Sequence, residues 1–560
     1  MTHGVTHATP PGWTSPAAPA SGPGEGRSFW PWVVPAAAVA LAVRLLVAAS
    51  DRVPTADATA FLTAGQSLLD GDGYARYGSS EVGVPPLVPA LLAALARFTG
   101  DATAGFSAHH VLWGTALVLP VAALGRAVGG ARAGWGAAWA AALCPGLVVT
   151  GGIDGGGSEL PAVVAVATAL ALVVDRSSAP TGWRAVAVGV CCGLAYLFRA
   201  DALVAAAVIL LALVVRAWRS RAAQAPVALH WPVVAAAIAV LVAAPWVAWV
   251  HQETGQLQLT GKARDTSIEG WAALARHDRV ERDALLYRLD DSGEIVRREE
   301  VSLVQLAISD PSGFATVQRE NVITFLTETL VPEAEWEGTP RWLPPSWELV
   351  PLPGLALAGW AAWRRRSQPR VQLLLAVACA NLAVAFAFFI QDRYLVPFAT
   401  VACVLVGVGL ADLGSPRWRR ALQALLVTLA ALAIGAQISG PAGLLSRPEP
   451  AEHRAIGEVL AQTTTSKDRV MTRSMTVRYY LGRPTVPFPY GEPSTVLDYA
   501  CRKGVDLIVV DERQVGSLRP QLRSWLGPGP WTGLRLEHEI TVDGWPARAF
   551  TVEDCAATRR

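Results

Sequence analysis

The chain has 560 residues, of which 52% are hydrophobic and 16% charged, at a mean hydropathy of +0.35. That balance excludes an ordinary water-soluble globular protein and marks a polytopic membrane protein. The formal net charge of +2 gives no electrostatic case for a nucleic-acid partner, and no P-loop, zinc-ligand spacing or internal repeat stands out.

Residues 1–28 are rich in Pro, Gly, Ala, Ser and Thr without apolar periodicity, which predicts a disordered cytoplasmic tail. Phe29 to Ser50 is long enough to cross about 30 Å of hydrocarbon, and no small-residue cleavage site ends it, so it is read as a retained span. Arg44 inside it either snorkels or faces the bundle. Next comes Thr55 to Pro86, which carries Asp57, Asp70, Asp72 and Glu81 at a membrane surface. Charge is expensive to keep there without a use for it.

Further apolar segments lie near 106–125, 133–150, 158–174, 185–198, 202–216, 231–250, 349–363, 371–390, 394–411 and 421–440, giving eleven expected spans with the first. Pro85 to Phe98 falls short of the roughly 20 residues a straight crossing needs. Read as interfacial, it leaves Arg126, Arg132, Arg176, Arg184, Arg216, Arg219, Arg221, Arg364 to Arg366, Arg370, Arg417, Arg419 and Arg420 on one side. Short loops rich in arginine stay cytoplasmic. This parity predicts a cytoplasmic N-terminus, a first outer loop over 51–105, a long outer loop over 251–348, and an extracytoplasmic C-terminus.

The long outer loop is expected to be solvated, with interfacial helices at Glu269 to Arg276 and Pro311 to Glu328. From residue 441 onward the character changes. AEHRAIGEVLAQ and EPSTVLDYACRKG read as helices, DRVMTR as a strand and VDLIVVDER as a buried strand, predicting a small extracytoplasmic α/β domain over 441–560. Of seven cysteines, Cys144, Cys191, Cys192, Cys379 and Cys403 lie in apolar spans as small core residues. Cys501 and Cys555 lie in the outer domain, where an oxidising compartment would let them pair.

Asp57 stands before an amphipathic run from Ala58 to Leu69. It either caps that helix or serves as a general base beside it. The succession of this acid, LLDGDGY, VGVPPLVPALLA, then SELP, LAYLFRAD and DRYLVP, covering roughly residues 30–412, resembles the bacterial C-type glycosyltransferases. It is most similar to the dolichyl-phosphate-mannose-mannosyltransferase-like branch, with the lipid A aminoarabinose transferases and the RgtA/B/C/D-like proteins. The stretch SSEVGVPP departs from the FEKPP-like stretch of the aminoarabinose transferases.

The resemblance implies transfer of a sugar, with inversion, from a polyprenyl-phosphate donor to a glycan, glycolipid or protein acceptor on the outer face. Asp57 takes the role of base. A phosphate leaving group needs mainly charge stabilisation, and the guanidinium fork suits it. Arg393 with Tyr394 is the first site expected for the donor phosphate and Arg199 the second, with Lys262 and Arg264 adding charge from the long loop. Glu159 and Asp154, in the loop GGIDGGGSE, would orient the acceptor, pair with an arginine, or hold a magnesium or manganese ion with Asp57. Two other readings stay open: a transporter or flippase of a lipid-linked sugar, which would need charged or broken helices near the midplane, and a catalytically inactive envelope assembly protein.

Overall fold

The structure is a computed structural model that describes residues 29–48, 54, 56–76, 79–149, 157–175, 182–222, 230–261, 271, 279–295, 303–323, 325, 350–388, 390, 392–439, 450–553 and 555. The expected helix at Glu269 to Arg276 lies outside these residues apart from Trp271.

All eleven apolar segments are helical. The first is α1 (Val34–Ala48). It is followed by α2 (Ala56–Asp70), a short hairpin of β1 (Ala75–Arg76) and β2 (Ser79–Ser80), and α3 (Leu87–Thr99). Then come α4 (Ala102–Ala116), α5 (Val118–Gly129), α6 (Ala131–Leu143), α7 (Pro145–Val149), α8 (Glu159–Val174), α9 (Gly182–Phe198), α10 (Ala202–Ala222) and α11 (His230–Thr254). The long connection contributes α12 (Arg279–Tyr287), α13 (Leu303–Ser309) and α14 (Pro311–Ile323). The bundle closes with α15 (Leu352–Arg364), α16 (Pro369–Ala387), α17 (Val396–Asp412) and α18 (Pro416–Ser439). Seven runs among the described residues are long and apolar enough to cross a membrane unaided, whereas α8 and α9 are shorter.

The bundle is built around α17, whose residues from Ala399 to Leu410 are all buried. Small residues make that possible, because apolar side chains gain nothing from leaving lipid and helices must instead approach closely to attract each other. A Cβ on Gly407 would sit 2.3 Å from the Ala133 carbonyl oxygen, so α6 and α17 touch backbone to backbone. Arg44 does not snorkel. It is fully buried and donates to the Ala40 carbonyl of its own helix (3.3 Å) and to the carbonyls of Ala142 (3.5 Å) and Leu147 (3.0 Å) on either side of the break between α6 and α7. A side chain on Gly114 would collide with it.

The arginine-rich helix ends gather on one face. Arg365 pairs with Asp412 and donates to the Val128 carbonyl (2.9 Å), and Arg184 pairs with Asp175 (3.0 Å). The first loop lies at the opposite end. Helix α2 begins one residue before Asp57, so that carboxylate stands in the first turn, where the helix dipole favours it, and not ahead of the helix. Phe61 and Leu62 are buried against the bundle. Glu81 accepts from the amides of Gly83 (2.6 Å) and Val84 (2.9 Å) and pairs with Arg76 (2.6 Å), which makes it a structural knot of the loop.

Beyond α18 the chain forms α19 (Ala451–Thr463), β3 (Val470–Thr472), α20 (Met475–Leu481), β4 (Val486–Pro487), α21 (Pro493–Arg502), β5 (Leu507–Asp511) and α22 (Glu512–Leu518), then β6 (Leu534–Val542) and β7 (Trp545–Val552). Strand β5 ends sooner than the apolar run suggests, because the Asp511 side chain caps α22 by accepting from Gln514 N (2.9 Å). The sheet order is β4-β3-β5-β7-β6, parallel through β5 and antiparallel beyond it. Cys501 and Cys555 are joined by a disulfide, with Cα atoms 5.3 Å apart. Helix α20 docks this unit on the first loop, through Thr476 to the Pro54 carbonyl (3.4 Å) and Tyr479 against Thr103 (3.4 Å).

The long connection is not simply solvated. Asp283 on α12 is buried between Arg473 (2.9 Å) and Arg519 (2.7 Å), tying the connection to the C-terminal sheet.

Beneath α20 lies a buried imidazole. His453 faces Asp511 at 3.0 Å, Ser474 at 3.1 Å and Glu452 at 3.7 Å. Burial alone would lower its pKa, but Asp511 and then Glu452 outweigh burial and raise it above the ordinary histidine value. A raised folded-state pKa gives stabilisation that is complete below the unfolded value of about 6.5 and is lost as pH rises through the folded value. The C-terminal unit is therefore expected to unfold at lower temperature as pH climbs from 6 to 9. His453→Gln should flatten that slope in thermal scans; an unchanged slope would remove His453 as its origin.

Candidate functional site

Three helix ends and one tight turn meet on the face that carries the first loop. The chain between α16 and α17 turns through a short 3-10 helix, Asp392–Leu395, which presents Arg393 and Tyr394. Arg393 donates to the Asp57 carboxylate in a close ion pair. The Tyr394 ring lies between two guanidiniums, with Arg393 at 5.3 Å and Arg199 at 4.8 Å from its centre. The quadrupole of the ring attracts both cations, which would otherwise repel each other in a partly desolvated site. Arg199, just past the end of α9, pairs in turn with Glu159 (2.7 Å) at the start of α8 and with Asp201 (2.8 Å), and donates to Ser158 (3.2 Å).

The result is a chain of contacts, Asp57, Arg393, Tyr394, Arg199, Glu159, drawn from four places in the sequence, with Asp57 and Arg393 336 residues apart. All of these but Asp57 line a cleft whose empty space, open mouth included, is about 350 Å³. Below the polar rim the cleft is lined by Ala162, Val163, Val166, Ala202, Ala205 and Pro397, with Asn381 of α16 as a lone amide. Its polar lining combines the guanidiniums of Arg199 and Arg393 with the carboxylates of Glu159 and Asp201.

Asp57, Arg393, Tyr394, Arg199 and Glu159 are thus brought together. Asp154, Lys262 and Arg264 lie outside the described residues. Cys501 and Cys555 belong to the C-terminal sheet unit. Sequence reasoning missed Ser158 and Asn381; the second could have been found as the one asparagine in the apolar segment 371–390.

Asp57 and Glu159 each meet a different guanidinium, and among the described residues no three His, Cys, Asp or Glu side chains converge.

Glu159 is only 1% exposed, against 31% for Asp57. Removing Arg199 strands a buried carboxylate, which typically costs about 3–5 kcal/mol. Arg199→Ala is expected to lower the unfolding temperature in detergent markedly, and Arg199→Ala with Glu159→Gln to recover part of it. Equal losses in both would mean that the pair contributes no coupling.

A scan against protein-family models and a search of curated proteins find no match. Solved structures do match. The fold is shared with the archaeal oligosaccharyltransferase of Archaeoglobus fulgidus, which superposes with a TM-score of 0.54 at 16% identity, over 87% of this chain and 70% of that one. The chain is similar over nearly its whole length to ArnT from Cupriavidus metallidurans bound to undecaprenyl phosphate, with a TM-score of 0.58 at 15% identity, covering 93% of this chain and 98% of ArnT. The oligosaccharyltransferase AglB of Archaeoglobus fulgidus, in complex with an inhibitory peptide and a dolichol-phosphate, gives 0.54 at 15% identity over 87% and 69%.

Proposed function

We propose that the protein is a membrane glycosyltransferase that moves a sugar from a polyprenyl-phosphate donor to an acceptor hydroxyl on the outer face of the membrane. The observation that carries this reading is Arg393, paired with Asp57, among the residues that line a cleft with largely apolar walls. A polyprenyl phosphate needs both parts: cations for its head and an apolar groove for its first isoprene units. The similar structures of ArnT with undecaprenyl phosphate and AglB with a dolichol-phosphate support that ligand class.

In this reading the Asp57–Arg393 pair is the resting state. The donor phosphate competes for Arg393, with Arg199 beside it, and the carboxylate is released. The acceptor oxygen attacks the anomeric carbon from the side opposite the phosphate, and Asp57 takes its proton. The bond from that carbon to the phosphate oxygen breaks, and the polyprenyl phosphate leaves with the electron pair. A single displacement inverts the anomeric centre. Glu159 holds Arg199 in place, since it is too buried to meet the acceptor. On this assignment the arginine-rich face is cytoplasmic.

A flippase would require charge along a path through the bundle, whereas the buried Arg44 is tied to three backbone carbonyls. Lipid-linked sugars and envelope glycans compared between wild-type and deletion cells test the proposal. A lipid-linked sugar should accumulate while one glycan loses that sugar, with both restored by the wild-type gene. Unchanged profiles would overturn it.

A further inference from the structure

Helix α14, from the long connection, grips the turn that carries Arg393. Its Asn321 is 1% exposed and fully engaged with backbone. The side-chain amide donates to the Phe386 carbonyl (2.7 Å) and more weakly to that of Phe388 (3.4 Å), and its oxygen accepts from Ile390 N (3.1 Å). The carbonyls of the last helical turn have no partner within their own helix. Asn321 supplies one where α16 stops at Ala387, and it also ties down the strand of chain that leads into the Asp392–Leu395 turn. Phe325, two residues past α14, packs edge-on against Phe386 on one side of the turn (5.5 Å) and Phe398 on the other (6.0 Å). Both flanks of the turn are thereby set by one short piece of a connection that begins more than sixty residues earlier in the chain.

We infer that Asn321 and Phe325 are positioning residues for Arg393 and Tyr394, so that affinity for the donor's phosphate is set by this contact. The inference rests on the reading of Arg393 as a phosphate-binding residue. Asn321 has no amide atom left for a ligand, so it acts through the turn. Both functions of an amide are needed at the position. Aspartate could still accept from Ile390 N but could not donate to Phe386, and alanine loses both bonds. A guanidinium misplaced by about 1 Å loses roughly 10- to 100-fold in what depends on its geometry.

The test uses the full-length protein in detergent and two probes, undecaprenyl phosphate and the neutral alcohol undecaprenol. Asn321→Ala and Asn321→Asp are expected to weaken undecaprenyl phosphate binding about 10-fold or more while leaving undecaprenol binding within about 2-fold. Phe325→Leu should act in the same direction with a smaller effect. General destabilisation would weaken both probes alike and overturn the inference. Arg393→Ala is the control that separates the two readings. If it binds undecaprenyl phosphate as the wild type does, the phosphate site itself is wrong. If Arg393→Ala loses phosphate binding and the Asn321 variants do not, only the positioning role is wrong. Should the Asn321 variants aggregate, Phe325→Leu decides, and aggregation of all three would make these residues purely structural and end the proposal.

Discussion

Replacing Asp57 with asparagine is expected to lower sugar transfer by roughly 10²- to 10⁴-fold, the usual worth of a positioned general base, while the protein is still made, inserted and able to bind the donor. The ion pair with Arg393 is the reason the two effects should separate. Its side chains are 31% and 22% exposed, so the pair is only part-buried, and losing it is expected to cost less than the ~3–5 kcal/mol of breaking a fully buried pair. Losing it does not unfold the bundle. The amide cannot take the acceptor's proton, yet it frees Arg393 for phosphate, so donor affinity should hold or rise. Transfer assayed in membranes, beside undecaprenyl phosphate binding, checks both halves. Full activity in Asp57→Asn would remove this residue from the mechanism.

Arg393→Ala should act through the donor. Withdrawing one charged donor from developing phosphate charge costs about 10²–10³ in rate, and here kcat/KM for the donor should fall by that much, with KM carrying a large part. Arg393→Lys should recover little, because an ammonium is a point charge where the phosphate oxygens and the Tyr394 face call for a planar fork. Asp57 and Arg393 belong to one unit, so their losses should not add. The double variant Asp57→Asn, Arg393→Ala is expected to lie close to the worse of the two single variants. Strict additivity would mean that the carboxylate and the guanidinium act in separate places.

The sequence by itself determined the class of fold. Runs of Ala, Val and Leu must be helical in lipid, where no water is present to satisfy a backbone amide, and the α/β alternation of the last hundred residues follows from the periodicity of their apolar positions. It also singled out Asp57, Arg199 and Arg393, because charge kept beside hydrocarbon stands out against a greasy background. Only the tertiary structure decided which charges meet. Asp57 and Asp70 look equivalent as carboxylates in one loop, yet Asp57 reaches Arg393 while Asp70 accepts a hydrogen bond from its own helix's Gln66. For Glu159 the sequence leaves open orienting the acceptor, pairing with an arginine or holding a metal, and the packing of α8 and α9 sets it on Arg199. Asn321, an ordinary polar residue in the long connection, acquires its role from the end of α16, 65 residues away. Hydrophobic patterning is local and legible, because each side chain partitions by its own chemistry. Pairing between distant polar groups depends on where whole helices come to rest, and no local pattern encodes that.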